Sequence, residues 1–179
     1  TEEEDYVIAS DTDSIYLNLG PLVENVYKGR EKVNESVVRF IDKVCETKLE
    51  PYIESSYEEL AEYVGAYEQK MIMKRENIAD KGIWTAKKRY ILNVWDSEGV
   101  RYTKPKLKVM GIECVKSSTP GACRDKIKEC LTVIMNEDEE AAQNFIKTFR
   151  DNFSELPVED ISFPRGCNNL NKWGNPSSI

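Results

Sequence analysis

The residues from Trp84 to Val115 restrict the fold more than any other part of the chain. "WTAKKRYILNVW" and "KLKVMGIECV" are β-type runs, and "WDSEGVRY" turns the first of them through Asp96 to Gly99 into a partner strand of its own. So short a turn makes the flanking strands antiparallel neighbours. The spacing predicts one long strand over 84–95, a second over 106–115 and a shorter one over Lys70–Met73. Alternation along the long strand would set Lys88, Tyr90 and Leu92 on one face.

Helical periodicity fills much of the remainder. Val33, Val37, Phe40, Ile41 and Val44 recur at helical spacing between about Gly29 and Lys48. A second helix is predicted from Pro51 to about Tyr63, with the proline in its first turn. After "KSSTP" the character changes. "STPGACRDKIKECLTVIM" has a cap-and-proline start, and "NEDEEAAQNFIKTFRDNF" opens with acids that suit a helix dipole. The expected fold class is therefore α+β through residue 115, an antiparallel sheet with packed helices, followed by a helical segment over 116–155. The tail from Pro157, rich in Pro, Asn, Ser and Gly, reads as loop.

"VIASDTDSIYL", residues 7 to 17, poses the chemical question. Tyr6–Ala9 and Ser14–Leu17 are short β-type runs, so Asp11 and Asp13 fall at the tip of a hairpin. Two carboxylates this close repel, and each costs free energy if drawn out of water. A bound cation would offset both costs. A calcium EF-hand fails, because Ile15, Tyr16 and Leu22 stand where it needs a ligand, a glycine and a glutamate. The tripeptide alone leaves open a phosphohydrolase, a metal-dependent glycosyltransferase, or a solvated polar tip.

Composition narrows these options. There is no histidine among the 179 residues, which excludes Ser-His and Cys-His nucleophilic schemes and His-ligated zinc. Any metal must be held by oxygen, which favours magnesium, manganese or calcium. The five cysteines, Cys45, Cys114, Cys123, Cys130 and Cys167, form no C-x-x-C pair and read as reduced thiols, mostly core fillers. With no membrane-length apolar run and no signal peptide, the expected location is intracellular. The formal charge of −7 conceals a pattern. Residues 1–69 hold 17 acids and 6 bases, residues 70–108 hold 4 acids and 11 bases, and residues 109–179 hold 11 acids and 8 bases. A basic middle between acidic flanks suits a phosphate-facing surface on a soluble protein. A solvated basic hairpin is the plainer alternative. Likewise Tyr90 could be a strand-core aromatic and Lys87-Lys88-Arg89 a solvated charge run.

The ordered motifs carry a resemblance. "DTDS" between two strands resembles a polymerase motif of family B DNA polymerases, and "WTAKKRY" resembles the lysine-x-tyrosine motif that follows it there. "MKREN", "NVWDSEGVRYTKPKLKVMGIE" and "VKSSTP" continue the order. Over about residues 1–173 the chain is similar to replicative polymerases of large tailed bacteriophages, from the palm hairpin into the thumb.

This resemblance implies a palm portion over 1–115, a partial thumb over 116–179 and a two-metal Mg2+ site. Asp13 would bridge the ions, Asp11 would lie beside them, and Glu76 would be a further acidic residue near the metals. Lys88 and Tyr90 would hold the primer end with Lys87 and Arg89 as neighbours. Lys116, Ser117 and Ser118 would meet the primer backbone. The implied partners are primer–template DNA, dNTP in the complete enzyme, and an upstream polymerase chain or domains with the other palm motifs and fingers. No membrane is implied, and a phage origin would place the protein in the host cytoplasm. The chain departs from the family at Ala9 and Ser10, where an aromatic and often a glycine are usual. Because the motif with the other metal-bridging aspartate is missing, the chain is expected to be a piece of a polymerase, either excised or the product of a split gene. Alone it is expected to be inactive.

Overall fold

A computed structural model describes residues 5–28, 34–166, 168 and 169. Contacts divide the chain into two units. One comprises residues 1–83 and 91–108, the other residues 84–90 and 109–179. The fold class is α+β, with antiparallel strands.

In the first unit, β1 (Val7–Asp11) and β2 (Ser14–Leu17) form the expected hairpin. Asp11 pairs with Ser14, Ser10 with Ile15 and Ala9 with Tyr16, and the register shifts between Ala9 and Val7. A bulge there bends the ribbon near its open end. Helix α1 (Gly20–Tyr27), unanticipated from periodicity, follows directly. Helix α2 (Glu35–Val44) begins at an Asn34 cap whose side chain accepts from the Ser36 and Val37 amides. The expected start near Gly29 lies outside the described residues.

No break separates α2 from α3 (Glu50–Tyr63): Cys45–Leu49 continue the axis as a π-helical turn. Pro51 explains the widening. It has no N–H to give residue 47, and its ring crowds that carbonyl. The Glu50 amide reaches back to the Cys45 carbonyl, five residues away. Val38, Ile41, Cys45 and Ile78 form the core of this unit, with Leu19, Val23, Phe40, Leu49 and Trp95 against it.

Lys70–Met73 is not a strand. The segment is extended, but Gln69 occupies both backbone groups of Met71 with its side-chain amide. Those groups are thereby unavailable to a ladder.

Three strands, β3 (Asn77–Ala86), β4 (Arg89–Ser97) and β5 (Val100–Met110), form one sheet in that order. The single strand expected over 84–95 is instead two, turning at Lys87 and Lys88. Lys88 adopts a left-handed conformation (φ +61°), and Thr85 Oγ1 donates to the Arg89 carbonyl at 3.3 Å. The strand-face alignment of Lys88, Tyr90 and Leu92 is therefore lost. By contrast the Asp96–Gly99 turn stands as expected, with positive φ at both Glu98 and Gly99 as a tight hairpin requires. The strand expected over 106–115 stops at Met110 as part of β5, and Glu113–Val115 form a 3-10 turn.

The second unit is mostly helical. Helix α4 (Gly121–Asn136) packs on the Glu113–Val115 turn, on α5 (Glu139–Asn152) and on the short α6 (Val158–Ile161). Asp138 caps α5 by accepting from the Ala141 amide at 2.9 Å. The tail read as loop thus includes one turn of helix. Of the cysteines, Cys45 and Cys114 are buried, Cys123 and Cys130 half-buried, all four are free thiols, and Cys167 lies outside the described residues. No helix among the described residues is long and apolar enough to cross a membrane.

Candidate functional site

Asp11 ends β1, Asp13 lies in the two-residue turn, and Thr12 between them is left-handed at φ +57°. A β-branched residue seldom adopts this conformation, so the tip stores strain. Local bonds hold it. Thr12 Oγ1 donates to Asp11 Oδ1 at 3.0 Å, and Ser14 Oγ donates to the Asp11 carbonyl at 3.1 Å. Asp13 is exposed and Asp11 half-buried.

Asp13 lines a cavity of about 360 Å³ together with Ile72, Met73, Lys74, Arg75, Glu76 and Glu98. Two of the three carboxylates expected near a metal, Asp13 and Glu76, therefore share one pocket. Glu98 joins them unforeseen. Its only sequence signal is its place in a turn that the antiparallel pairing returns to Glu76: the Glu98 amide donates to the Glu76 carbonyl at 2.6 Å.

Side chains fix the wall of this cavity. Glu50 accepts from Lys74 Nζ at 2.6 Å and from the Arg75 amide at 3.1 Å. The Arg75 guanidinium bridges Asp42 and fully buried Asp96, and Arg101 bridges the same two carboxylates. Glu76 accepts from Lys108 at 2.5 Å and from Asn77 at 2.9 Å. Lys108 above all, then Asn77, holds the Glu76 carboxyl below the usual carboxylate range. It is an anion with a cation already beside it.

The donor set is all carboxylate oxygen, which suits a hard cation such as Mg2+. It is also incomplete. Among the described residues no group of three Asp, Glu, Cys or His side chains is placed to hold an ion. The chemistry of these oxygen donors is compatible with such a cation.

The basic residues expected to meet DNA, Lys87, Lys88, Arg89 and Lys116, lie in the second unit. Lys87 and Lys88 are exposed at their turn, and Arg89 is half-buried. Tyr90 is 8% exposed, its ring 6.1 Å from that of Trp84, so the turn stands on a packed aromatic pair. Lys116, Ser117 and Ser118 form an exposed run between the Glu113 turn and α4. Glu113, which no motif marked, lies in this same unit between the two basic segments. One Arg89 terminal nitrogen reaches both its carboxylate oxygens, at 2.8 and 2.6 Å, and Lys116 Nζ reaches it at 3.1 Å.

Comparison with known proteins bears on what this arrangement serves. No family model matches the sequence. The chain is 40% identical over 181 residues to the DNA-directed DNA polymerase of Escherichia phage RB69 and 36% identical over 181 residues to that of Enterobacteria phage T4. Each alignment covers 97% of this chain and 20% of the relative, so the chain spans about a fifth of the length of these curated relatives. Over 97% of its length the chain is thus similar to one fifth of these two phage DNA polymerases.

Proposed function

We propose that this chain supplies the palm hairpin and the primer-holding segments of a family B DNA-directed DNA polymerase, with a palm portion over 1–115 and a partial thumb over 116–179. The observation that carries the reading is the shared cavity of Asp13 and Glu76, two carboxylates 63 positions apart in a chain similar to phage DNA polymerases. The relatives' name favours nucleotidyl transfer over the phosphohydrolase and glycosyltransferase alternatives.

On this reading Asp13 holds Mg2+ from the hairpin tip, Asp11 supports it from the end of β1, and Glu76 lies beside them. A carboxylate outside this chain completes the site, as the resemblance to family B polymerases implies. When bound, the metal pair lowers the barrier to phosphoryl transfer by stabilising charge on the attacking and leaving oxygens. The chain's own residues orient the reactants. Thr12 and Ser14 fix Asp11, and Lys108 keeps Glu76 ionised. Lys87 and Lys88 face the primer strand from their turn, Arg89 and Tyr90 continue from it, and Lys116, Ser117 and Ser118 approach the primer backbone. Template-paired dNTP enters through an upstream polymerase chain or domains not represented in this fifth of the relatives' length.

A second reading, DNA binding without catalysis by this chain, is favoured by the same incomplete donor set. One experiment separates them. Primer extension is measured with the purified chain, with the upstream polymerase polypeptide, and with both. Synthesis only in the mixture, lost with Asp13→Ala, supports the catalytic reading. Duplex binding with no synthesis in an assembled complex supports the second.

A further inference from the structure

We propose that Glu113 is a positioning residue for DNA: it fastens the Lys87–Lys88 turn to the Lys116–Ser118 segment, and Arg89 serves this tie rather than a phosphate. The inference rests on the DNA-surface reading above and names what holds that surface in register.

Three observations within the second unit converge on it. The Arg89 guanidinium and the Lys116 ammonium both end on the Glu113 carboxylate. Lys116 first, then Arg89, holds that carboxyl below its usual range, so it stays anionic across neutral pH. Two residues earlier, Gly111 lies directly against the turn. A Cβ there would sit 2.2 Å from the Lys88 carbonyl oxygen, and its φ of +67° suits glycine. The backbone approach at Gly111 and the ion pairs at Glu113 thus attach the same stretch to both sides of the Lys88–Arg89 peptide. The Lys116 amide also donates to the Glu113 carbonyl at 3.1 Å, which makes the exposed Lys-Ser-Ser run a direct continuation of the fastened turn.

The sign of one substitution tests this. By charge alone, Glu113→Gln should tighten DNA binding, because it removes an anion and frees two cations for phosphate, steepening the salt dependence. A fastener predicts the reverse. Binding of a fluorescent primer–template duplex to the full chain is followed by anisotropy across a salt series, with far-UV circular dichroism as the fold control. Glu113→Gln should bind about two- to fivefold more weakly, the range of a partly exposed ion pair, with no steeper salt slope.

Arg89→Glu alone should weaken binding, and Arg89→Glu with Glu113→Arg, which restores the parent's net charge and the turn's side of the tie but sets like charges at 113 and Lys116, should recover part of the affinity. Equal or tighter binding by Glu113→Gln, or a double variant that binds no better than Arg89→Glu alone, overturns the proposal. Should Glu113→Gln lose its fold, Glu113→Asp is read instead, since it keeps the charge and shortens the reach. Weaker binding then supports the fastener and unchanged binding overturns it. A parent chain that binds no duplex at low salt removes the DNA-surface reading, and this assignment with it.

Discussion

Asp96 is 0% exposed, and replacing it with alanine should be among the costliest changes in the first unit. Its carboxylate accepts from Arg75, from Arg101 Nε at 3.3 Å and from the Gly99 amide at 3.0 Å. Removal of one partner from a buried pair costs about 3–5 kcal/mol, because the other charge stays in low dielectric. Here the Arg75 and Arg101 side chains are 13% and 28% exposed, and Asp42 continues to neutralise both. The expected loss is therefore near the lower limit, about 3 kcal/mol. Set against a total stability of about 5–15 kcal/mol, that is a large fraction. For a chain of this size it corresponds to a fall in Tm of about 6–12 °C. Asp42→Ala is the matched control. It touches the same two arginines, but its side chain is 37% exposed and water can replace it, so the loss should stay near 1 kcal/mol or below. Urea and thermal unfolding by circular dichroism measure both variants. Equal losses, or less than about 1 kcal/mol for Asp96→Ala, would refute the claim that burial makes Asp96 the anchor of the square.

In an assembled, active polymerase containing this chain, Asp13→Ala should abolish primer extension while Asp11→Ala reduces it about 10–100-fold, the loss typical of an outer ligand; comparable rates for Asp13→Ala and parent would remove the metal assignment. Stability should fall on acidification below about pH 4.5. Hydrogen bonds from Lys74, Lys108 and Lys116 chiefly hold Glu50, Glu76 and Glu113 below their value of 4.5, so their contributions are full above it and vanish as pH drops through the depressed folded values. Glu50→Gln should flatten that acid limb in pH-dependent melts, and an unchanged limb would show that this group carries none of it. Burial pushes the Cys45 and Cys114 thiols up, so iodoacetamide at pH 7.5 should label both far more slowly than in urea, a contrast that peptide mass spectrometry reads directly.

The elements with local chemical signatures were legible in the sequence. Alternation and the D-T-D turn marked the β1–β2 hairpin, Asp96–Gly99 marked the β4–β5 turn, and the acids before α5 marked its start. The Lys87–Lys88 turn was not legible, because "AKKR" contains none of the Gly, Asn, Asp or Pro that announce a tight turn. Lys88 holds its left-handed backbone through tertiary support, with Gly111 against its carbonyl and Trp84 beside Tyr90. Lys70–Met73 failed in the opposite sense. Its composition suits a strand, but side-chain amides take the bonds a neighbouring strand would need. Pro51 marked the first turn of α3, as its place in Glu50–Tyr63 bears out, but nothing announced the π turn that joins this helix to α2 without a break.

The candidate site divides along the same line. Asp13 and Glu76 could be named from their motifs, and the hairpin turn that places Asp13 is local, but the wall around Glu76 is held by ion pairs between distant residues. Arg75 reaches Asp42 and Asp96, Lys108 reaches Glu76, and Arg89 reaches Glu113. None of these pairs has a periodicity, so no reading of adjacent residues can find them. They also change what the +7 middle segment means. Arg75, Arg101 and Lys108 are committed to internal carboxylates, and Arg89 to Glu113. Much of the positive charge that seemed available for phosphate therefore holds the scaffold in place. Within the proposed DNA surface, exposed Lys87 and Lys88 would then carry the larger share of any contact with DNA, with Lys116 shared with Glu113. Net charge by segment is accordingly a poor measure of phosphate contacts here. The salt slope should reflect those few exposed lysines rather than all 11 bases of residues 70–108.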